Sequence, residues 1–417
     1  MSIELLILII ATLAGLYMAS NIGANDLANA MGTSVGSGAI TLRQAVLLSV
    51  IANTLGAVLA GGYVTDTIAK GMIDPALFKG NPNTLLLGMF SALISAGVWV
   101  NIATVFGLPV STTHAIVGAV VGFGIISVGI DPINWGKVIK IVLSWIISPI
   151  SGAIIGGGMY YFVEKRIIQR EHPEIEAERF SPLLISLVCI VLILSLIFKG
   201  LKNLHLKVSF FHVLIFSSPF AFLFGILGKR WIRWYLHKKD FSGTRHGAMT
   251  PLNRFFAQLQ ILTACYVAFA HGANDVANAV GPLAAIFSVV KTKTVALKVE
   301  VPIWMLFIGG IAIGGGLFVF GKRVIETIGK NITEITPVRG FCAEFGAATT
   351  ILVCSRLGLP VSTTHVLVGS VVGVGIMRGM GSLDLRILRN IALSWVITIP
   401  FTVVISMILY KLFLILF

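Results

Sequence analysis

Long apolar runs of about 20 residues recur along the chain, separated by short polar stretches, and this length suits helices that cross a bilayer. Five crossing units are predicted in each half, near residues 3–40, 43–64, 84–106, 107–130, 137–163, 252–290, 301–320, 340–356, 357–377 and 386–416. Two connecting helices, near 183–198 and 209–229, bring the total to about twelve. The pattern therefore predicts an all-α polytopic membrane protein that includes broken or re-entrant helices.

Two polar motifs interrupt these runs, and each occurs once in each half of the chain. GANDLANAMG at Gly23–Gly32 returns as GANDVANAVG at Gly272–Gly281. GLPVSTTH at Gly107–His114 returns unchanged at Gly358–His365. The two copies lie 249 positions apart for the first motif and 251 for the second, so the chain is a duplicated unit.

Basic residues predict the orientation of the two units. Gly228–Arg254 holds seven Lys or Arg and, as its one acidic residue, Asp240, which is typical of a cytoplasmic loop. An odd number of crossings per unit then inverts the second copy relative to the first and places both termini outside. We expect a first inverted repeat at 1–163, a linker with the connecting helices and the basic loop at 164–250, and a second inverted repeat at 251–417.

Composition agrees with a membrane protein. Hydrophobic residues make up 56% of the chain and charged residues 12%, whereas soluble domains carry about 25% charged residues. The net charge of +14 comes from residues that flank the apolar runs, so we expect no nucleic-acid partner. The sequence has no Walker A or HExxH motif, so we expect neither an enzyme nor a bound cofactor.

The GAND motifs place a carboxylate and two amides on one helix face, because their spacings are three and four residues. These residues are Asn25, Asp26 and Asn29 in the first copy and Asn274, Asp275 and Asn278 in the second. A charge inside the membrane costs about 2.5–3.5 kcal/mol, so such an Asp usually has a partner or a function. Carboxylate and amide oxygens suit Na⁺, and we expect cation sites at Asp26 and Asp275. The alternative is that these residues only cap or pin helices.

The GLPVSTTH motifs predict two helices that begin inside the membrane. Proline disfavours helix at the residue before it, and hydroxyl residues are typical of a helix N-terminus. The hydroxyl residues are Ser111, Thr112 and Thr113 in the first copy and Ser362, Thr363 and Thr364 in the second. Unpaired N–H groups and the helix dipole make such a start an anion site, and the hydroxyls can donate to the same anion. The alternative is a capped turn that binds nothing.

Neither STTH motif contains Arg or Lys, which are common phosphate ligands. The charge of a bound anion must then be offset by the helix N-termini and by cations at the GAND carboxylates. We therefore expect obligate coupling, in which cations at Asp26 and Asp275 complete the anion site. A further acidic residue, Glu344, lies in an apolar run, and the first half has Leu93 at the equivalent position.

These paired motifs resemble those of the inorganic phosphate transporter (PiT) family, most closely its sodium/phosphate symporters. Val301–Gly310, VPIWMLFIGG, and Glu344 also match that family. The resemblance implies a secondary symporter of the cell membrane that imports inorganic phosphate with Na⁺ as the coupling ion, and we expect a homodimer in the lipid bilayer. The expected phosphate ligands are Ser111, Thr112, Thr113, Ser362, Thr363, Thr364, Asn25 and Asn274, and the expected sodium ligands are Asp26, Asn29, Asp275, Asn278 and Glu344.

Several alternatives stay open at this point. The family that the chain resembles also includes proton-coupled phosphate carriers and sulfate permeases. Some members carry Glu where this chain has Asn53, so the cation stoichiometry is open. A cation carrier or channel that uses only the carboxylates is the alternative from a different class, and it would move Na⁺ without phosphate.

Overall fold

Helices follow one another in the same order in both halves of the chain, as a computed structural model shows. It describes residues 3–70, 72–203, 209–238, 250–295, 301–321, 324–325, 335–379 and 385–416. The α-helices are α1 Ile3–Ile22, α2 Ala28–Gly36, α3 Leu42–Ala60, α4 Gly62–Lys70, α5 Pro82–Val105, α6 Thr112–Val128, α7 Trp135–Val163, α8 Pro173–Asn203, α9 Phe210–Lys238, α10 Pro251–Thr292, α11 Ile303–Phe320, α12 Pro337–Arg356, α13 Thr363–Arg378 and α14 Leu385–Leu416. Shorter helical segments are the π-helical turns Gly23–Leu27 and Glu164–Ile168 and the 3₁₀ turn Pro75–Phe78.

Within the described residues, nine helices are long and apolar enough to cross a membrane. Three shorter apolar helices, α6, α11 and α13, join them, so nine plus three gives the predicted twelve units. The polytopic all-α fold is therefore confirmed. The connecting helices α8 and α9 are longer than predicted, and α4 is a separate helix that the apolar pattern did not reveal. The centre of the predicted basic loop, residues 239–249, lies outside the described residues.

The two repeats pack against each other in a reciprocal way. Helix α7 of the first repeat lies along α13 of the second, and α14 of the second lies along α6 of the first. In the same manner α3 packs on α10, and α11 packs on α1. Reciprocal contacts of this kind are typical of two units related by a two-fold axis. The direction of that axis, and with it the inversion, stays a prediction.

The first glycine of each GAND motif lies against a backbone of the other repeat. A Cβ atom at Gly23 would lie 1.6 Å from the Ile313 oxygen, and one at Gly272 would lie 1.9 Å from the Asn53 oxygen. Any side chain here would force the helices apart. The backbone differs between the two copies, because Gly23 begins a π-helical turn whereas Gly272 stays inside the continuous helix α10.

Helices α5 and α12 end in the same turn, immediately before the STTH motifs. Gly107 has a φ of +66°, in the left-handed region that favours glycine. The Leu108 N–H then donates to the Ala103 carbonyl at 2.9 Å, and the Gly107 N–H donates to Thr104 at 3.0 Å, which together form a Schellman motif. The second repeat builds the same turn from Gly358, Leu359, Cys354 and Ser355. The turn leaves the following Leu-Pro segment extended and aims it into the protein interior.

Candidate functional site

Two helices begin in the protein interior at the STTH motifs, as predicted. Ser111 caps α6 by accepting a hydrogen bond from the His114 N–H at 3.1 Å. Ser362 caps α13 by accepting from the His365 N–H at 3.2 Å. Both serines are buried, so each helix starts with its N–H groups inside the protein.

The two helix starts contact each other across the repeats. The Thr113 hydroxyl donates to the Val361 carbonyl at 3.0 Å, and the Thr364 hydroxyl donates to the Val110 carbonyl at 3.3 Å. Each helix start therefore holds the extended segment that precedes the other. The structure brings all six predicted hydroxyl residues to one buried place, and the two N-termini lie side by side there.

The first asparagine of each GAND motif holds the extended segment of its own repeat. The Asn25 amide donates to the Leu108 carbonyl and to the Thr104 hydroxyl, both at 3.0 Å, and its oxygen accepts from the Val110 N–H at 3.1 Å. In the second repeat, Asn274 donates to the Val361 carbonyl at 2.7 Å and accepts from Ser355 at 3.3 Å. These amides position the helix starts. The motif spacing did not indicate the supporting roles of Thr104 and Ser355.

Both GAND carboxylates accept hydrogen bonds from the STTH hydroxyls. Asp26 accepts from Thr112 at 2.5 Å and, across the repeats, from Thr364 at 2.8 Å. Asp275 accepts from Thr363 at 2.7 Å. The two aspartates are almost completely buried, so the site combines acidic side chains with two positive helix ends. The hydroxyls that could donate to an anion donate to carboxylates in this arrangement.

His271 joins the two aspartates, although the sequence analysis did not select it. One ligand atom each from Asp26, His271 and Asp275 lie within 4.8 Å of one another. The His271 Nε2 atom is 3.0 Å from Asp275 Oδ2 but lacks hydrogen-bond geometry. Its Nδ1 atom lies 2.8 Å from the oxygen of Asn53, whose amide nitrogen donates to Gly310. Asn53 therefore accepts from Nδ1 and fixes the ring, which leaves Nε2 facing the aspartates.

Asn278 links the second GAND motif to the first helix start. Its amide nitrogen lies 3.2 Å from both the Thr112 and the Thr113 hydroxyl oxygens. Its oxygen is buried and has no hydrogen-bond partner among the described residues. A buried carbonyl oxygen without a partner is rare, and it is a suitable ligand for a cation. The equivalent side chain of the first repeat, Asn29, lies outside the part that the structure describes.

Glu344 lies in a second polar pocket, built from donors that the sequence analysis missed. One carboxylate oxygen accepts from Thr33 at 2.7 Å, from Ser34 at 2.5 Å and from the Gln260 amide at 3.0 Å. The other accepts from Thr263 at 2.7 Å. Glu344 is completely buried. Among the described side chains, this pocket shares no hydrogen-bonding residue with the Asp26–Asp275 cluster, so it is a separate site.

One local pattern in this pocket resembles an enzyme motif without its structure. Gly32–Gly36 reads GTSVG, which matches the GxSxG spacing of a hydrolase nucleophile elbow. The stretch lies inside helix α2 and not at a strand-to-helix turn, and the Ser34 hydroxyl donates to Glu344. The spacing therefore does not indicate a hydrolase.

Comparisons with known proteins agree on one family. A family model described as "Phosphate transporter family" matches residues 22–406. A protein of Pyrococcus abyssi, described provisionally as a phosphate permease, is 43% identical over 405 residues, which cover 97% of each chain. The chloroplastic inorganic phosphate transporter 2-1 of Arabidopsis thaliana is 40% identical over 93% of this chain and 69% of its own. A solved structure described as the sodium-dependent phosphate transporter matches with a TM-score of 0.90 at 40% identity, over 99% of this chain and 100% of the other.

Proposed function

The chain belongs to the phosphate transporter family, and from that membership we propose that it imports inorganic phosphate as a Na⁺-coupled secondary symporter. The family resemblance predicted from the motifs is confirmed, and the relatives are transporters and permeases and not enzymes. The protein is therefore a multi-pass membrane transporter. The coupling ion, the ligand residues and the orientation are the parts that we propose.

The observation that supports this proposal best is the meeting of two helix starts beside two carboxylates. A phosphate would lie at the N-termini of α6 and α13, where backbone N–H groups and the STTH hydroxyls converge. Thr112 and Thr364 donate to Asp26, and Thr363 donates to Asp275. Na⁺ would bind the carboxylate oxygens in place of the threonine hydroxyls. The hydroxyls could then donate to phosphate. The donors are thus available to the anion only after the cations bind.

Electrostatic repulsion at the site also requires Na⁺ to bind before phosphate. Two ionised carboxylates within 4.8 Å repel each other by about 3 kcal/mol at an effective dielectric constant of about 20, and a phosphate anion adds to this repulsion. Na⁺ ions at Asp26 and Asp275 remove it. The unpaired oxygen of Asn278 supplies a further cation ligand, and Asn29 is its proposed counterpart in the first repeat.

Glu344 is proposed as the centre of an additional Na⁺ site. The carboxylate and the hydroxyls of Thr33, Ser34 and Thr263 supply oxygen atoms suited to a hard cation, while the Gln260 amide nitrogen donates to the carboxylate. In this proposal Asn25 and Asn274 act on phosphate by placing the helix starts, because their amides hold the extended segments.

The carboxylates also favour phosphate over sulfate. Phosphate near neutral pH carries a hydroxyl group that can donate to Asp26 or Asp275, whereas sulfate has only acceptors. A buried acceptor that is left unpaired by the wrong substrate is an effective basis for discrimination. This argument favours phosphate transport over sulfate transport by the same site.

Uptake by reconstituted protein tests the proposal. Proteoliposomes receive an inward Na⁺ gradient or an inward H⁺ gradient, and uptake of radiolabelled phosphate is measured with and without excess sulfate. We expect uptake with the Na⁺ gradient and little competition by sulfate. Uptake driven by the H⁺ gradient alone would contradict Na⁺ coupling, and Na⁺ flux that does not need phosphate would favour a cation carrier.

The proposal includes a topology in the cell membrane. The repeats 1–163 and 251–417 are inverted, both termini face outside, and the protein is a homodimer. Impermeant thiol reagents on intact cells test the orientation with a cysteine introduced at Ser2 in a chain whose four native cysteines are replaced. Labelling without permeabilisation is expected, and protection in intact cells would reverse the topology.

A further inference from the structure

His271 lies beside the two GAND carboxylates, and the proposed Na⁺ symport makes no use of it. It stands four residues before Asp275 on α10, so both side chains project from the same face of the helix. Two metal ligands at this spacing are a recurrent arrangement on helices. Asp26 of the first repeat completes a group of three buried side chains whose ligand atoms lie within 4.8 Å of one another.

The Nε2 atom of His271 is the feature that distinguishes this group from an ordinary acidic cluster. It is buried and has no hydrogen-bond partner among the described residues. It lies 3.0 Å from Asp275 Oδ2, and both side chains are completely buried. Two ligands that are each about 2.0–2.1 Å from a tetrahedral Zn²⁺ are about 3.3 Å apart, so a small adjustment would let one ion bind both atoms. A nitrogen donor that lacks a partner therefore faces the carboxylates.

Neighbouring residues fix the orientation of these ligands. Nδ1 of His271 lies 2.8 Å from the oxygen of Asn53, whose amide nitrogen donates to the Gly310 carbonyl at 3.1 Å. Nδ1 thus carries the hydrogen, and Nε2 keeps its lone pair. Asp275 Oδ1 in turn accepts from the Asn274 amide at 2.8 Å. Outer partners that orient an imidazole and a carboxylate in this way are typical of metal sites.

We propose that Asp26, His271 and Asp275 bind a divalent transition-metal ion of the class of Zn²⁺ and Co²⁺, and that the bound ion blocks Na⁺-driven phosphate uptake. The mixed donors select this class, because imidazole nitrogen suits Zn²⁺ and similar ions, whereas Mg²⁺ and Ca²⁺ are bound through oxygen. A dication also neutralises both carboxylates at once. The block rests on the proposed function, since the metal ion would occupy the carboxylates at which Na⁺ is proposed to bind.

Two other roles for His271 lead to different expectations. A doubly protonated His271 would form an ion pair with Asp275 and would have no lone pair for a metal ion. A role in the symmetric Na⁺ arrangement would call for a counterpart in the first repeat, but that repeat has Ile22 at the equivalent position. The nitrogen donor therefore belongs to one repeat only, which favours a function in addition to the shared one.

Calorimetric titration of the purified full-length protein, prepared without a histidine tag, tests the metal site. Zn²⁺ is added in phosphate-free buffer that contains either K⁺ or Na⁺ at equal ionic strength. We expect saturable binding in K⁺ and weaker binding in Na⁺, because the two cations compete for the same carboxylates. Mg²⁺ should bind at least about tenfold more weakly than Zn²⁺, since it gains little from an imidazole ligand.

Variants test whether the imidazole is a ligand. His271→Asn keeps an N–H group towards Asn53 and removes Nε2, so Zn²⁺ affinity should fall by at least about tenfold, and the visible absorption bands of bound Co²⁺ should shift. Asn53→Ala removes the outer partner and should weaken Zn²⁺ binding by about 10–100-fold. His172→Asn, an exposed change, is the control and should leave both readouts unchanged.

Uptake into proteoliposomes tests the block. Micromolar Zn²⁺ should inhibit Na⁺-driven phosphate uptake by the unmodified protein, and more Na⁺ should relieve the inhibition. Normal Na⁺-driven uptake that Zn²⁺ does not inhibit would refute the block and leave the symport standing. Absence of Na⁺-driven uptake would refute the symport, while the titration in K⁺ would still test the metal site.

Three binding results would overturn the proposal. Equal Zn²⁺ affinity in the unmodified protein and in His271→Asn would show that the imidazole is not a ligand. Equal affinity for Mg²⁺ and Zn²⁺ would show that the site does not select a transition metal. Equal Zn²⁺ affinity in Na⁺ and in K⁺ would remove the competition. The comparison of Zn²⁺ with Mg²⁺ uses the unmodified protein, so it holds even where a variant fails to fold.

Discussion

The Glu344 pocket and the equivalent place in the first repeat differ in every polar residue, although the helices around them correspond. Leu93 stands 251 positions before Glu344. The donors Gln260, Thr263, Thr33 and Ser34 correspond, at the offset of 249, to Ala11, Ala14, Pro282 and Leu283. These counterparts are buried and apolar, so one repeat has a polar pocket where the other has ordinary core.

Glu344 and its four hydrogen-bond donors are thus all replaced together by apolar residues at the equivalent place. A buried carboxylate without partners costs several kcal/mol, so Glu344 requires its hydroxyl and amide donors. Buried donors without the carboxylate would in turn be left unpaired. The Asp26 and Asp275 sites are different, because both repeats keep them. Our proposal thus places Na⁺ at a pair of carboxylates that both repeats keep, beside the phosphate site, and a further Na⁺ at a carboxylate that one repeat has.

The largest effect is expected at the symmetric carboxylates. Asp26→Asn and Asp275→Asn keep the size of the side chain but remove the charge that we propose to hold Na⁺. Each should reduce Na⁺-driven phosphate uptake in proteoliposomes to the level of liposomes without protein. Asp74→Asn is the control, since Asp74 is exposed and only caps a 3₁₀ turn, and it should retain uptake. Retained uptake in Asp26→Asn or in Asp275→Asn would contradict the proposal that Na⁺ at these carboxylates is required for phosphate uptake.

A smaller effect is expected at the one-sided carboxylate. Glu344→Gln keeps the shape of the pocket and loses the charge-assisted hydrogen bonds, which contribute about 1.5–3 kcal/mol each. The Na⁺ concentration for half-maximal uptake should rise about tenfold or more, because about 1.4 kcal/mol corresponds to tenfold. Maximal uptake at saturating Na⁺ should be less affected than in Asp26→Asn. An unchanged Na⁺ dependence would separate Glu344 from cation binding.

A third change removes one donor from the pocket and keeps the carboxylate. Thr263→Val removes the hydroxyl that donates to the second carboxylate oxygen. The variant loses one oxygen of the proposed Na⁺ site and keeps the carboxylate charge, so the half-saturating Na⁺ concentration should shift less than in Glu344→Gln, by about fivefold, which corresponds to about 1 kcal/mol. The same measurement of uptake against Na⁺ concentration checks it. A shift as large as that of Glu344→Gln would mean that the pocket had collapsed, which thermal unfolding would reveal.

The smallest effect is expected in the apolar counterpart. Leu93→Met changes the shape of a buried side chain while nearly conserving its volume, which cores tolerate well. Ala14→Ser adds a hydroxyl that can bond to its own helix. Neither should change the Na⁺ dependence of uptake. A shift in either variant would show that the first repeat also holds a cation at this place and would end the contrast between the repeats.

Local sequence rules predicted the helix starts but not the Glu344 pocket. The order of proline and hydroxyl residues predicted that α6 and α13 begin at the STTH motifs, because caps and proline act on their neighbours. The pocket joins residues from α2, α10 and α12, and such long-range packing has no local signal. One usable signal was present. Gln260, Thr263, His271, Asn274 and Asn278 lie at helical spacing on one stripe of α10.

His271 and the asparagines show a second limit of the sequence pattern. His271 immediately precedes the second GAND motif, where the first copy has Ile22, so a search for matched residues passes over it. Asn25 and Asn274 were predicted as phosphate ligands, which stays a prediction; both are buried, and the residues that they contact depend on the turns at Gly107 and Gly358. A comparison of the two repeats therefore finds the functional residues that both contain and misses a residue, such as His271, that only one contains.

Phosphate binding in Na⁺ and in K⁺ tests the central claim most directly, because it separates the anion site from transport. Purified protein is titrated with phosphate by calorimetry at equal ionic strength in either cation. We predict that affinity is at least fivefold higher in Na⁺, within the range of about 5–150-fold that is typical of coupled sites, and that Asp26→Asn loses this difference. Equal affinity in the two cations would contradict the claim that cations at the carboxylates complete the phosphate site.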